Sequence, residues 1–150
     1  MRNLYEQGRA QELKNRIASL RSDSPRQWGK MGPAQAMAHC AATMEMAVGD
    51  NKPPRMFVGR LIGAAIKRLA IGNEEPLRRN APTSKVLLIK DDRDMKEEQD
   101  RLCRLIDRFA AAGPAGCTRH PHTFFGRLTP EEWSVLMDKH LDHHLRQFGA

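Results

Sequence analysis

The sequence predicts an all-α fold, a bundle of four long helices with an extra helix between the second and the third of them. Three observations carry this prediction. Apolar residues recur at helical spacing in four long segments, capping residues open three of them, and a further apolar segment lies between the second and the third. A chain of 150 residues suits one domain, so we assign residues 1–150 to a single helical-bundle domain.

The first two predicted helices are marked in different ways. An apolar stripe marks the first, which runs from roughly Leu4 to Leu20 and ends at the polar stretch SDSP. The start of the second is marked by Gly32, Pro33 and Gln35, which suit the N-cap, the first helical position and the reciprocal position of a capping box. We expect this helix to continue to about Gly49.

The middle of the chain contains the extra helix and a segment with few regular signals. The stretch from Met56 to Ala70 is apolar over most of its circumference, so we expect it to be buried on two sides or to form a subunit contact, which leaves a homodimer open. Its basic edge also suits a membrane-surface helix, but it contains no Trp, and we expect no membrane partner. Between Gly72 and Asp92, the residues from Val86 to Ile89 form either a short strand or an extended apolar arm.

Capping residues open the last two long helices. Asp94 followed by Glu97 resembles a capping box, and the helix that it opens stops at Gly113-Pro114. The stretch TPEE, residues 129–132, supplies the N-cap, the first helical position and the reciprocal glutamate of the last helix. The apolar stripe of that helix consists of Trp133, Leu136, Met137, His140, Leu141, His144, Leu145 and Phe148.

Composition excludes several classes of protein. No run of about 18 apolar residues occurs, and the N-terminal stretch has no apolar signal core, so we expect neither a membrane span nor secretion. Three cysteines without metal-ligand spacing favour a reducing compartment, and we predict a cytoplasmic protein. The net charge of +7 suits nucleic acid, but acidic residues are interspersed and no helix-turn-helix pattern occurs, so we expect a basic solvated surface instead.

Two histidines occupy the apolar stripe of the last helix. His140 and His144 are four residues apart, so their side chains lie one turn apart on one face, about 5–6 Å at Cβ. His39 is a third candidate, because it lies on a face of small residues of the second helix. Three neutral imidazoles satisfy much of a coordination sphere and suit Zn²⁺ or Ni²⁺, leaving a position open. The alternative is a set of core histidines bonded to carbonyls or buried water.

The other histidines and the charged residues near the three candidates carry weaker signals. We expect His143 to be solvated, because it lies off the apolar stripe. His120 and His122, in a loop of Pro and Phe residues, either line the site entrance or are simple turn residues. We expect Cys40 to be an inert packed thiol. We expect the carboxylates of Glu45, Asp138 and Asp142 to lie on the surface, and Lys139 and Arg146 to be solvated.

Three stretches of the chain resemble a bacterial branch of the DinB/YfiT-like superfamily. They are WGKMGPAQAMAHC (28–40), HPHTFFGRLTPEEW (120–133) and KHLDHHLRQFG (139–149). The resemblance implies an antiparallel four-helix bundle with a metal site formed by one histidine of the second helix and an H-x-x-x-H pair of the last, hence His39, His140 and His144. Some relatives are similar to thiol-dependent transferases, and others to metal-dependent isomerases and hydrolases. The resemblance therefore implies a small-molecule substrate and, for a transferase, a low-molecular-weight thiol.

The function hypothesis that follows is a metal-dependent enzyme, a transferase or a hydrolase, with His39, His140 and His144 as metal ligands. The sequence singles out no catalytic residue beyond these ligands. A non-catalytic helical bundle with an interaction or stress-response role is the alternative. A basic nucleic-acid-binding bundle ranks below both.

Overall fold

The computed structural model describes residues 1–81 and 83–150 and is all-helical. Within these residues there is no strand, and an isolated antiparallel bridge joins His122 to Gly126. None of the described helices combines the length and the apolar character that a membrane span requires. The five α-helices are α1 (Arg9–Ser19), α2 (Pro33–Val48), α3 (Phe57–Ile71), α4 (Met95–Ala112) and α5 (Pro130–Gln147).

This architecture confirms the predicted all-α class and the helix between the second and third long helices. The antiparallel four-helix arrangement stays a prediction. α2 packs against α4 and α5, α1 packs against the same two helices, and α3 lies against α5. The core between them is aliphatic and rich in methionine, with its largest fully buried side chains at Leu4, Leu13, Ile17, Met37, Met44, Leu102, Ile106, Phe109, Trp133, Met137, Leu141 and Leu145.

The predicted caps are the local reason why α2, α4 and α5 begin where they do. The Thr129 hydroxyl accepts a hydrogen bond from the Glu132 amide at 3.1 Å, and the Glu132 carboxylate accepts one from the Thr129 amide at 2.8 Å. The Asp94 carboxylate accepts from the Glu97 amide at 2.8 Å. At the start of α2, the Gln35 side-chain oxygen accepts from the Gly32 amide at 3.0 Å.

The start of α1 and the structure of one short stretch differ from the sequence expectation. α1 begins at Arg9 and not at Leu4, because the chain before it turns and Gly8 adopts a left-handed conformation with φ of 80°. Leu4 is nevertheless buried, so its place in the apolar pattern indicated a core position and not a helical backbone. The stretch expected as a strand or an arm contains the 3₁₀ helix Lys85–Leu87, which has no partner strand. Pro82, in the same irregular segment, lies outside the described residues.

The expectation that the extra helix is buried on two sides is wrong within the described chain. α3 buries only Gly59, Gly63 and Ile71. Its large apolar side chains face outward, and the exposed ones are Phe57, Val58, Leu61, Ile62 and Leu69. The two glycines explain this arrangement, because they allow the helix backbone to lie directly against the backbone of Phe124. The apolar character of α3 therefore serves its outer face and not the core.

Asp138 is another correction, because it is buried where a solvated carboxylate was expected. Its two carboxylate oxygens accept hydrogen bonds from Arg9, at 2.5 Å from Nε and 3.2 Å from Nη2. Arg9 is buried as well and also pairs with Glu12 at 2.6 Å. This bidentate ion pair joins the first turn of α1 to the middle of α5.

Replacing Gly63 by Ala is expected to destabilise the protein, although Ala is the better helix former by about 1 kcal/mol. A Cβ at this position would lie far inside van der Waals contact with the backbone carbonyl of Phe124, so α3 would have to move away from the loop. We expect a loss of about 1–3 kcal/mol, as for other overpacked sites, measured by chemical unfolding. Ala64→Gly, at an exposed neighbour, measures the effect of helix propensity alone. A Gly63→Ala protein as stable as the parent would contradict the close approach.

Candidate metal centre

The structure brings together the three histidines selected from the sequence. His39 projects from the middle of α2, and His140 and His144 project from the second half of α5. Their ring centroids are 4.7–5.0 Å apart in all three pairs. The Nε2 atoms of His39 and His140 are 3.0 Å apart, and one nitrogen of each ring lies within 4.8 Å of the others. Ligands bound to one ion at about 2.0–2.1 Å lie no more than about 4.2 Å apart, so small side-chain adjustments bring all three rings onto one ion.

Each of the three rings is held by a hydrogen bond at its other nitrogen. The Nδ1–H of His39 donates to the backbone carbonyl of Leu87 at 2.7 Å, and the Nδ1–H of His144 donates to the side-chain oxygen of Gln147 at 2.8 Å. The Gln147 amide is oriented in turn, because its nitrogen donates to the carbonyl of Trp28 at 2.8 Å. A carbonyl oxygen can only accept, so the proton of each ring belongs on Nδ1.

His140 follows the same pattern through a hydroxyl group. The Thr43 hydroxyl has one proton, which it donates to the carbonyl of Cys40 at 2.8 Å. Its oxygen is then an acceptor for the Nδ1–H of His140, at the longer distance of 3.2 Å. With this donation from Thr43 to Cys40, all three imidazoles take the Nδ1–H tautomer and the lone pair of each Nε2 is directed into the cluster; a proton on the Nε2 of His140 would instead be donated to the Nε2 of His39.

Three lone pairs directed at one point repel one another unless a cation lies between them. With the protons on Nδ1, nothing but two lone pairs occupies the 3.0 Å between the Nε2 atoms of His39 and His140. A proton does not supply this positive charge near neutral pH, because burial lowers the pKa of His39. Burial and the neighbouring imidazoles lower the pKa of His140 still further. Burial and the nearby His39 lower the pKa of His144 to about 3. The donor set therefore fits a divalent metal ion.

The three ligand histidines differ in burial. His39 and His144 are buried, whereas His140 keeps partial exposure. Nothing else in the described residues completes the set, since the three-histidine group is the metal-ligating cluster found there. A three-histidine set has the composition of catalytic metal sites, which keep a coordination position for water or substrate.

No carboxylate contacts the three imidazoles among the hydrogen bonds of the described residues. Asp138 pairs with Arg9, Asp142 with Arg16 at 2.8 Å, and Glu45 with Arg101 at 2.6 Å. The three ligands and their three hydrogen-bond acceptors are thus electrically neutral. A bound dication keeps its full charge in such a site, which favours an anionic further ligand.

The remaining residues near the cluster serve packing and ion pairing. Burial raises the pKa of the Cys40 thiol, which suits the inert role expected for it. Lys139 donates to the carbonyl of Ala70 at 2.8 Å, and Arg146 lies 3.8 Å from Asp142. None of these groups contacts a ligand imidazole through a hydrogen bond or ion pair.

The other three histidines lie around the cluster in structural roles. The prediction that His143 is solvated is wrong, because its ring is half-buried and packs edge-on against Trp28 at 5.5 Å and His144 at 5.1 Å. His122 closes its own loop, since its Nδ1 accepts from the amides of Phe124 and Phe125, both at 3.1 Å. Burial lowers the pKa of His122 to about 4.

His120 takes no part in the cluster either, as its Nε2 lies 3.4 Å from the carbonyl of Pro53. Sequence reasoning missed the acceptors that orient the ligands. Gln147 had a usable signal, because it follows His144 by three residues on the same helix. The carbonyl of Leu87 had none, since any residue type supplies a carbonyl.

Fold and site together define an all-helical protein with a buried three-histidine cluster. The chain belongs to the family described as "Protein of unknown function (DUF1569)", which it matches over residues 5–150. No curated protein and no solved structure matches the chain. The resemblance to the DinB/YfiT-like superfamily stays a prediction.

Replacing Gln147 by Leu is expected to weaken metal binding by about 10–100-fold, the usual effect of removing a partner of a ligand histidine. The substitution removes the acceptor of the His144 Nδ1–H, so the ring loses its fixed tautomer and orientation. Titration of the purified protein with Zn²⁺ against a chelator of known affinity measures the change. Gln99→Leu is the matched control, because Gln99 bonds to the carbonyls of Ile17 and Leu20, away from the cluster. Equal Zn²⁺ affinities of the Gln147→Leu protein and the parent would contradict the assigned role.

Proposed function

We propose that the protein binds one divalent metal ion through the Nε2 atoms of His39, His140 and His144 and is a metal-dependent enzyme acting on a small molecule. One observation carries the proposal: the Nδ1 of each ring lies at hydrogen-bond distance from a separate oxygen, which leaves the three Nε2 atoms free to bind one ion. A core histidine needs only one partner per nitrogen and has no reason to bring its second nitrogen against two others. This orientation supports metal ligation over structural packing.

Zn²⁺ and Ni²⁺ are the ions that suit this donor set best. All three donors are imidazole nitrogens, which both ions accept readily. Sites for non-haem Fe²⁺ add a carboxylate to two histidines, and Mn²⁺ prefers oxygen ligands. No such carboxylate reaches the cluster from Glu45, Asp138 or Asp142, which are all held in ion pairs.

The chemistry we infer is hydrolysis or the transfer of a thiol to an electrophile. A divalent ion in such a site lowers the pKa of a bound water or thiol and polarises an electrophile. The neutral surroundings support this role, because no carboxylate of the protein neutralises the ion. Its charge is therefore left to attract a hydroxide or a thiolate from solution. We expect this anion to approach beside His140, because that is the ligand histidine with partial exposure.

We also propose that α1, α2, α4 and α5 form the antiparallel four-helix bundle implied by the DinB/YfiT resemblance. The packing of α1 and α2 against the same two helices supports this arrangement. In it, the two ligand-bearing helices are neighbours, and α3 is the extra helix attached to α5.

Elemental analysis of the protein purified without an affinity tag tests the proposal directly. We expect about one Zn or Ni per chain after purification or after reconstitution. Substitution with Co²⁺ then distinguishes the two reactions, since a thiol that binds the ion adds a sulfur-to-cobalt charge-transfer band in the near ultraviolet. A protein with no metal affinity and with unchanged stability in chelator would support the non-catalytic bundle instead.

A further inference from the structure

The positive charge of this protein is concentrated in one short segment. Residues 51–73 contain five Lys and Arg residues and no Asp or Glu, so they carry +5 of the formal net charge of +7. The other 127 residues together carry only +2, with acidic and basic side chains almost in balance. The basic character that composition assigned to the whole surface therefore belongs to α3 and the residues beside it. The five cations are Lys52, Arg55, Arg60, Lys67 and Arg68.

The same segment carries the largest exposed apolar side chains of the described chain. Phe57, Leu61 and Leu69 are 75%, 70% and 73% exposed, and they lie on one line of α3 at a spacing of four residues or its double. Val58 and Ile62 flank that line and are exposed as well. The line extends about 18 Å along the helix, at 1.5 Å per residue. A contiguous apolar strip of this length on a surface marks an interaction site.

Cations border this apolar strip. Arg60 and Arg68 are exposed, two turns apart on one side of α3, and the exposed Lys52 precedes the helix. The other two cations are engaged within the protein: Lys67 pairs with Glu132 at 2.7 Å, and Arg55 donates to the carbonyl of Gly59 at 3.0 Å. The outer face of α3 thus combines large apolar side chains with two exposed arginines, and Lys52 adds a third exposed cation before the helix.

We propose that the outer face of α3 binds the surface of an anionic lipid bilayer, with α3 lying in the plane of the interface. A bilayer with acidic headgroups accepts both parts of this face, because acyl chains receive the apolar side chains and phosphates receive the arginines. A second copy of the chain would cover the apolar strip but bring two cationic borders together. Nucleic acid would satisfy the cations and leave Phe57, Leu61 and Leu69 in water.

The inner side of α3 lies close against the rest of the protein, so its outer face is the one left for a partner. Gly59 and Gly63 hold its inner side directly against the backbone of Phe124, and Lys139 of α5 donates to the carbonyl of Ala70 near its C-terminal end. The expectation of no membrane partner was based on the absence of Trp from this segment, which still holds. The exposed apolar side chains and the arginines beside them are the observations that favour a membrane surface instead, and none of them belongs to the metal centre.

Vesicle flotation with the full-length protein tests the proposal. We expect binding to vesicles of phosphatidylcholine with about one third phosphatidylglycerol, and at least about tenfold weaker binding to phosphatidylcholine alone, from the gain of about 1 kcal/mol per cation at an anionic surface. The double variant Arg60→Glu with Arg68→Glu is expected to lose at least tenfold in affinity. Arg104→Glu with Arg119→Glu makes the same charge change at exposed positions outside α3 and is expected to lose much less.

The apolar half of the face needs its own measurement. Leu61→Trp places a fluorophore in the strip, and its emission is expected to shift to the blue on anionic vesicles and to be quenched by brominated acyl chains. Phe57→Ser with Leu69→Ser is expected to weaken binding at unchanged net charge, with circular dichroism confirming the fold of every variant. Three results would overturn the proposal: no binding to anionic vesicles, equal losses in both Arg pairs, or a stable dimer that the Ser variants convert to monomer.

Discussion

His39→Ala is expected to abolish stoichiometric metal binding, although His140 and His144 remain on their own helix. A pair of imidazoles leaves half of a tetrahedral sphere to water, and the ion loses the donor that joins α2 to α5. Removal of a ligand should cost more than the 10–100-fold in affinity that removal of its hydrogen-bond partner costs. Elemental analysis of the untagged protein and titration with Zn²⁺ measure the loss.

Metal binding should also stabilise the parent protein but not this variant. An ion at about a thousand times its Kd stabilises the folded state by about 4 kcal/mol, and the rise in Tm on adding Zn²⁺ reports it. His143→Ala is the sharpest control, since it removes a neighbouring imidazole that packs against His144 and makes no contribution to the set of converging nitrogens. The metal site would be wrongly assigned if His39→Ala kept one tightly bound ion, or if His143→Ala lost it.

Asp138→Ala is expected to destabilise the protein by about 3–5 kcal/mol, because it leaves the buried guanidinium of Arg9 without its partner. The carboxylate accepts two hydrogen bonds from that guanidinium, and both side chains are out of contact with solvent. Glu12 also pairs with Arg9 but is exposed at the rim of the pair, so it compensates only in part. Urea unfolding at neutral pH measures the change.

Two further variants test whether burial of the Arg9–Asp138 pair is the cause of this loss of stability. Asp50→Ala breaks a bidentate pair with Arg108 that is largely exposed, and exposed pairs contribute about 0–1 kcal/mol. The double variant Arg9→Met with Asp138→Leu removes both buried charges and should recover most of the stability lost in Asp138→Ala. A loss below about 1 kcal/mol in Asp138→Ala would show that the pair is not buried in solution.

The sequence predicted local features well because their causes are local. The start of α5 follows from TPEE, where each capping bond joins residues three apart. The stacking of His140 and His144 follows from helix geometry alone, whatever the rest of the chain does. The position of His39 among small residues of α2 was enough to select it, since a face of Ala and Thr leaves room for a ring.

Apolar patterning was less informative, because it does not say which surface an apolar side chain faces. The stretch that became α3 was expected to be covered, yet Phe57 and Leu61 face outward while two glycines face the protein. Leu4 kept the core position that its pattern indicated, although its backbone is not helical. In both cases, burial depends on which elements meet and not on the periodicity of one element.

By itself, the sequence determined the helical class, the three capped helix starts and the identity of the three candidate ligands. Only the tertiary structure decided that α2 meets α5 with the Nε2 atoms of His39 and His140 at 3.0 Å, and that Leu87, Thr43 and Gln147 supply the acceptors. It also decided that Arg9 meets Asp138 across 129 positions of chain. The reason is physical: capping and periodicity act within a few residues, whereas a binding site is made by side chains and carbonyls that only the packing of distant segments brings together.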